Sequence, residues 1–301
     1  MEDVKERSQL HSAVVPSRTT VADMINGYSI EVMPRTAAKI ESFRDLLPVG
    51  TRVYIANVDV DFKDMLAAAK RISDEGFSVM PHFPARQIPN RETLETWVRS
   101  MREEAGVTQA LLLGGNMSKP SGDYHSAIQL LESGMFDRYG FERLHVAGHP
   151  EGNKDIDRDG SQRLVDEALM WKQGFSEQTD AEMAITTQFF FDTTPVTAWA
   201  EKLENMGVTM PIHIGVSGPA KLQTLIKFAL ACGVGPSVKV LKKRAMDVTK
   251  LLLPYEPTDV LSQLAAYKGE HPESRIAQIH FFPLGGIKTC VDWASLQTAG
   301  K

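Results

Sequence analysis

Eight short apolar runs recur along the chain: GYSIEVM (27–33), RVYIANV (52–58), FSVMPHF (77–83), QALLLGG (109–115), RLHVAGH (143–149), MAITTQFFF (183–191), MPIHIGV (210–216) and AQIHFFP (277–283). Each is β-rich and continuously apolar, as strands covered on both faces are. Between them lie segments with apolar residues at helical spacing, among them DFKDMLAAAKRISDEG, RETLETWVRSMREEAG, DYHSAIQLLES and AKLQTLIKFALACG. Several close on a glycine, the usual helix stop. The alternation predicts an α/β fold, a single (β/α)8 barrel of the TIM type over 27–301. An open doubly wound sheet is the alternative, but no GxGxxG follows an early strand and the near-even units suit closure. Residues 1–26 read as an N-terminal extension, a short helix or a mobile arm, and 236–275 as extra helical material between the last two strands.

In such a barrel, reactive groups sit at the C-terminal strand ends and in the loops that follow. Polar residues that interrupt the apolar runs there are Glu31, Asn57, His82, Asn116, His149, Gln188 and Ser217. A buried polar group without a partner costs about 1–3 kcal/mol, so a set converging on one rim points to a site. Taken singly, each is more often a satisfied core residue. Glu31, at the end of an apolar strand, is expected to be partly desolvated, with its pKa raised toward the range of a general acid; a salt bridge to Arg35 is the plainer alternative. Leu113, Gly114, Gly115 and Asn116 form a strand running into a Gly-Gly turn, which lets backbone approach a flat or anionic ligand but also suits a simple tight turn. Gln188 carries an amide able to read a heterocycle edge in both directions, and one of Phe189, Phe190 and Phe191 is placed to stack on a flat ring, the other two reading as core.

Composition narrows the class. The 301 residues are 43% hydrophobic and 24% charged, enough for a sizeable core, and the net charge of −5 gives no basic excess for a nucleic-acid or anionic-membrane partner. No apolar run reaches about 18 residues, so no membrane span is expected. The N-terminus MEDVKERSQLHS lacks the apolar stretch of a signal peptide. Two distant cysteines, Cys232 and Cys290, predict buried thiols in a reducing, cytoplasmic setting, with no disulfide framework or structural zinc. DIDRDGSQRLVD (155–166) approaches a calcium loop, with Asp155, Asp157, Asp159 and Gly160 in place. Asp166 stands at the bidentate position and Gln162 where an apolar residue belongs, and a strand precedes it, so a polar loop with Asp159 or Ser161 capping the next helix is expected, and no metal.

The ordered series GYSIEVMPRT, VMPHF, LLLGGN, AGHPEGNK, ITTQFFFD and IHFFPL resembles the methylenetetrahydrofolate reductase family over roughly residues 27–290. TQFFFD is the most specific piece. The resemblance implies an FAD-dependent oxidoreductase that interconverts 5,10-methylene- and 5-methyltetrahydrofolate. It implies that Glu31 is the general acid that opens the folate's five-membered ring to an iminium. Gln188 then contacts the pterin, with Phe190 and Leu222 on the folate side. Asn57, His82, Leu113, Gly114, Gly115 and Asn116 line the flavin, and His149, Asn153 and Lys172 approach its ribityl and phosphate groups.

Departures bear on the redox partner. Where the family has Leu-Arg-Gly-Asp after strand four, this chain has Leu113, Gly114, Gly115 and Asn116. Loss of a carboxylate near the flavin pyrimidine eases formation of the anionic reduced ring. Glu-Val-Met-Pro-Arg replaces Phe-Phe-Pro-Pro after the first strand, and Gly286 stands where an arginine is common. The expectation is a divergent member that takes hydride from 5-methyltetrahydrofolate in preference to NAD(P)H. A flavin-independent folate enzyme and a non-catalytic folate-binding partner of a methyltransferase system are the rivals. Homo-oligomerisation is left open.

Overall fold

The computed structural model describes residues 19–58, 60–232, 234, 239–241, 243 and 254–299. Eight parallel strands close into a barrel in sequence order: β1 Ser29–Val32, β2 Arg52–Ile55, β3 Ser78–Pro84, β4 Gln109–Leu113, β5 Arg143–Gly148, β6 Glu182–Thr187, β7 Ile212–Ser217 and β8 Ile276–Phe282. The closing pair sets Ser29 beside His280 and Ile30 beside Phe281. Each expected apolar run coincides with one strand to within a residue at either end or is longer than it. The strand that covers the start of 183–191 stops at Thr187, and Phe190 adds one isolated bridge to Val216.

Strand parity divides the core. Ile30, Val53, Val79, Leu112, Val146, Ile185, Ile214 and Phe281 face outward and pack under the helices. The residues between them face the axis, as contacts between non-neighbouring strands show. Arg52 Nε on β2 donates to Gln109 Oε1 on β4 at 2.7 Å, and the Tyr54 hydroxyl on β2 lies 2.7 Å from His145 Nδ1 on β5. Bonds of this kind cross the interior, so the barrel is filled by side chains rather than open. At its N-terminal end the filling is polar: Arg52 also donates to Gln278, and Arg143 pairs with Glu182.

The ends of the chain refine the expected boundaries. Residues 19–26 carry a short helix, Val21–Met24, closed by a Thr20–Asp23 capping box. Met24 and Ile25 are buried in the main core, so this stretch packs with the barrel; residues 1–18 lie outside the described residues. The extra helix between the last two strands is present as Thr258–Glu270. Most of 235–253, the rest of that expected insertion, also lies outside the described residues. No helix among the described residues is long and apolar enough to cross a membrane.

Candidate active site at the barrel mouth

Glu31 faces inward near the top of β1, its side chain 18% exposed, between histidines from two other strands. Its Oε2 is 3.3 Å from His82 Nε2 and 3.9 Å from His280 Nε2. These are ion-pair distances without hydrogen-bond geometry; both imidazole nitrogens are buried and have no hydrogen-bond partner among the described residues. Burial pushes the carboxyl upward, but the two imidazoles of His280 and His82 together outweigh it and hold the pKa at about 2. The expectation of a raised Glu31 pKa is therefore corrected: desolvation acts, yet partners supplied by β3 and β8 win. The alternative partner Arg35 instead meets Met33 Sδ, at 3.6 Å.

Beneath Glu31 lies a polar stack absent from the sequence-based expectations. Ser29 Oγ is 3.0 Å from His280 Nδ1, and the Tyr54 ring lies 4.2 Å from that of His280. His145 Nδ1 is also 3.1 Å from Thr186 Oγ1, and its ring meets His213 edge-on at 4.6 Å. Burial lowers the pKa of His280, pushes His145 well below the usual imidazole range and takes His213 to about 3, so these rings are neutral at neutral pH. The signal was present in the runs RVYIANV, RLHVAGH, MPIHIGV and AQIHFFP, each with a polar or polar-tipped residue at inward parity.

The other expected site residues divide into those at the mouth and those sealed away. Asn57, just beyond β2, is buried, and among the described residues neither its amide nitrogen nor its amide oxygen has a partner. Gln188 is half-buried and folds its Oε1 back onto the Phe189 amide at 3.0 Å, which leaves its NH2 group to donate. Phe190 is 2% exposed within the main core, and Leu222 is buried among Phe189, Phe191, Leu225 and Phe282. Phe189 and Phe191 are buried too, at 1% and 6% exposed, so none of the three rings has the free face expected of one of them for stacking, and Leu222 has none for a ligand. Phe282, at the top of β8, comes within 4.8 Å of the His280 ring and forms part of the apolar wall.

The turn after β4 has its own structural cause. Gly115 has φ +92°, and a Cβ there would come within 2.9 Å of Pro84 Cβ. That turn needs glycine whatever lies above it. Leu113, Gly114 and Gly115 are partly exposed along the rim and Asn116 is exposed. Arg86 ties this rim together: its Nη1 donates to Met117 O at 2.9 Å and to Asp155 Oδ2 at 2.5 Å, and its Nε to His125 O at 3.3 Å. Loops after β3, β4 and β5 are thereby joined.

Lys172 is buried on the helix Arg163–Ser176 and has no ion pair or hydrogen bond among the described residues. Burial lowers its pKa to about 8, and burial with the Lys172 charge takes His149 to about 4. The two line a cavity of about 20 Å³, with Gly148, Ile156, Val165 and Leu169 among its walls. Asn153 Oδ1 accepts from the Asp155 amide at 2.9 Å in the loop nearby. In that loop Asp157 is the main cap of the next helix, and Ser161, one of the two expected caps, accepts from the Arg163 amide at 3.4 Å. The Asp157 carboxylate accepts from the Leu164 amide at 2.9 Å, the Val165 amide at 3.1 Å and Ser161 Oγ at 3.1 Å. No metal-binding group of His, Cys, Asp and Glu occurs among the described residues. Cys290 is buried as expected, but Cys232 is exposed.

No family model matches the chain. Among solved structures, an uncharacterized protein from Clostridium thermocellum that binds two copies of 5-methyl-5,6,7,8-tetrahydrofolic acid is similar over 93% of this chain and 98% of that one. Its TM-score is 0.58 at 10% identity, a likeness of fold. A Yersinia pestis DHPS with a pterine–sulfa conjugate matches 90% of this chain and 92% of that one, at TM-score 0.44 and 10% identity. A psychrophilic glycoside hydrolase family 10 endo-β-1,4-xylanase matches 87% and 88%, at TM-score 0.41 and 11% identity. These two looser matches add nothing to the first.

Proposed function

We propose that the barrel mouth binds a reduced folate and that the protein interconverts 5-methyl- and 5,10-methylenetetrahydrofolate. The observation that carries this reading is the Glu31 carboxylate, held between His82 and His280 at the C-terminal end of a closed parallel barrel. The Asn57 amide, without a partner among the described residues, and the Gln188 NH2 group, whose amide oxygen alone is engaged by the Phe189 N–H there, supply the donors and acceptors that a pterin edge requires. The Clostridium thermocellum barrel, which binds 5-methyltetrahydrofolic acid, supports the same ligand class.

The charge state of Glu31 favours one direction. Removing hydride from the 5-methyl group leaves an iminium at N5. N10 then adds to the methylene carbon, a new C–N bond forms, and the N10 proton must leave. A resident carboxylate accepts that proton, and the protonated acid returns it in the reverse direction. An ionised Glu31 is therefore poised for oxidation of the methyl folate.

FAD is the proposed hydride acceptor, and when bound it supplies the ring that takes up the hydride. Lys172 is the feature that suits it: a buried ammonium with no carboxylate partner among the described residues is costly until an anion such as a phosphate pairs with it. His149 and Asn153 would hold the same end. Anaerobic spectroscopy of the purified protein tests the proposal. A visible flavin band that bleaches on addition of 5-methyltetrahydrofolate, and bleaches slowly with NADH, is the expected result. A colourless protein that fails to take up FAD, or fast bleaching by NADH alone, would overturn it.

A further inference from the structure

We propose that Ser29 and His280 are positioning residues for Glu31, locking the His280 imidazole in the Nε2–H tautomer so that a fixed donor faces the carboxylate. This deepens the preceding proposal and rests on its reading of Glu31 as the group that exchanges a proton with the folate.

The geometry leaves one consistent arrangement. His280 is fully buried, with Ser29 Oγ 3.0 Å from Nδ1 on one side and Glu31 Oε2 3.9 Å from Nε2 on the other. A carboxylate only accepts, so a bare Nε2 facing it would set two lone pairs against each other. The ring hydrogen therefore belongs on Nε2. Nδ1 is then an acceptor, and the fully buried Ser29 hydroxyl donates to it. Register makes the set local, because Ser29 and His280 are direct partners across the β1–β8 seam and Glu31 follows two residues along the same face of β1. The Tyr54 ring packs on His280 at 4.2 Å and Phe282 at 4.8 Å, holding the imidazole plane.

Among the described residues, Tyr54 from β2 packs on the His280 ring, and His145 from β5 and His213 from β7 act on it through space from below. His82 from β3 faces Glu31 at 3.3 Å, and Arg52 below acts on His280 through its charge. Cys232 also feels the Glu31 charge. Burial keeps His280 neutral, so at 3.9 Å its Nε2–H acts on the carboxylate as an oriented dipole rather than as a full charge or a formed hydrogen bond. As a folate enters and water leaves, that donor and His82 hold the carboxylate in its ionised form.

Two measurements on the full chain test this. Nitrogen-15 NMR of histidine side chains in the ligand-free protein reports the His280 tautomer without any substitution. Carbon-13 NMR of the glutamate carboxyls, with the pH profile of 5-methyltetrahydrofolate turnover, reports Glu31 in wild type, Ser29→Ala and Ser29→Thr. The expected result is the Nε2–H form in wild type. In Ser29→Ala a mixed or reversed tautomer should appear, with the Glu31 midpoint and the acid limb of the profile shifted up by about one pH unit. Ser29→Thr, which keeps the hydroxyl, should restore both. An Nδ1–H form in wild type, or an unmoved Glu31 midpoint in a folded Ser29→Ala, would overturn the inference. Should the tautomer and the midpoint shift hold while no folate binds, the folate reading fails and the Ser29–His280–Glu31 arrangement stands.

Discussion

Glu31 Oε2 and His82 Nε2 stand 3.3 Å apart, joining β1 to β3 over a strand that lies between them. The carboxylate belongs to the mouth and not to a lateral packing contact, and its charge has consequences for both chemistry and stability.

A carboxyl whose pKa falls from 4.5 in the unfolded chain to about 2 in the fold contributes stability above pH 4.5, lost as the pH drops toward 2. Glu31→Gln should abolish turnover while leaving folate binding largely intact, and should flatten this part of the stability–pH curve. Urea unfolding of wild type and variant between pH 5 and pH 2.5 checks the second effect; a wild-type curve no steeper than that of the variant would count against the ionised Glu31.

Tyr54→Phe removes the hydroxyl that lies 2.7 Å from His145 Nδ1, at a fully buried position. His145 keeps Thr186 as its other neighbour, at 3.1 Å. The expected cost is about 1–3 kcal/mol, read from chemical denaturation. No loss would show that the buried stack is not held together by this bond.

Much of the barrel was legible because each strand is continuously apolar and each following helix amphipathic, and because chain order equals strand order. The mouth was legible only in part. Glu31, Asn57, His82 and Gln188 stood out as polar breaks near strand ends. Ser29, Tyr54, His145, His213 and His280 sit within or below the strand centres, where a single polar residue reads as an ordinary core position until the inward parity of every strand is known. The Glu31 pKa was misjudged for the same reason: its partners come from strands far away in sequence. In the polar loop at 155–166 Asp159 and Ser161 read as the caps, and only the turn geometry adds Asp157, whose oxygens reach the Leu164 and Val165 amides while Ser161 reaches that of Arg163.

Lys172 makes a prediction with the opposite sign to Glu31. The unfolded chain keeps this proton up to pH 10.5 and the fold releases it near 8, so stability should rise as the pH climbs between those values. Lys172→Met should raise stability at neutral pH by on the order of 2–3 kcal/mol, remove the alkaline rise and weaken flavin retention. Thermal melts at pH 7 and pH 10 check the stability effect. Equal destabilisation at both would mean that the ammonium has a partner in solution.

Arg86 binds the Met117 and His125 carbonyls and the Asp155 carboxylate from one side chain, itself 18% exposed. Arg86→Ala should free the rim without unfolding the barrel, lowering hydrogen-exchange protection over residues 115–126 by roughly tenfold while the strands keep theirs. Uniform loss across the strands would show a global role.

Calorimetric titration of the full chain with 5-methyltetrahydrofolate, with histidine side-chain NMR followed through the same titration, tests the central claim most directly. Saturable binding that moves the His82 and His280 signals and leaves that of His271, on the helix Thr258–Glu270 flank, unmoved is the predicted result. Absence of binding, or binding that leaves His82 and His280 unperturbed, would contradict a folate site at the barrel mouth.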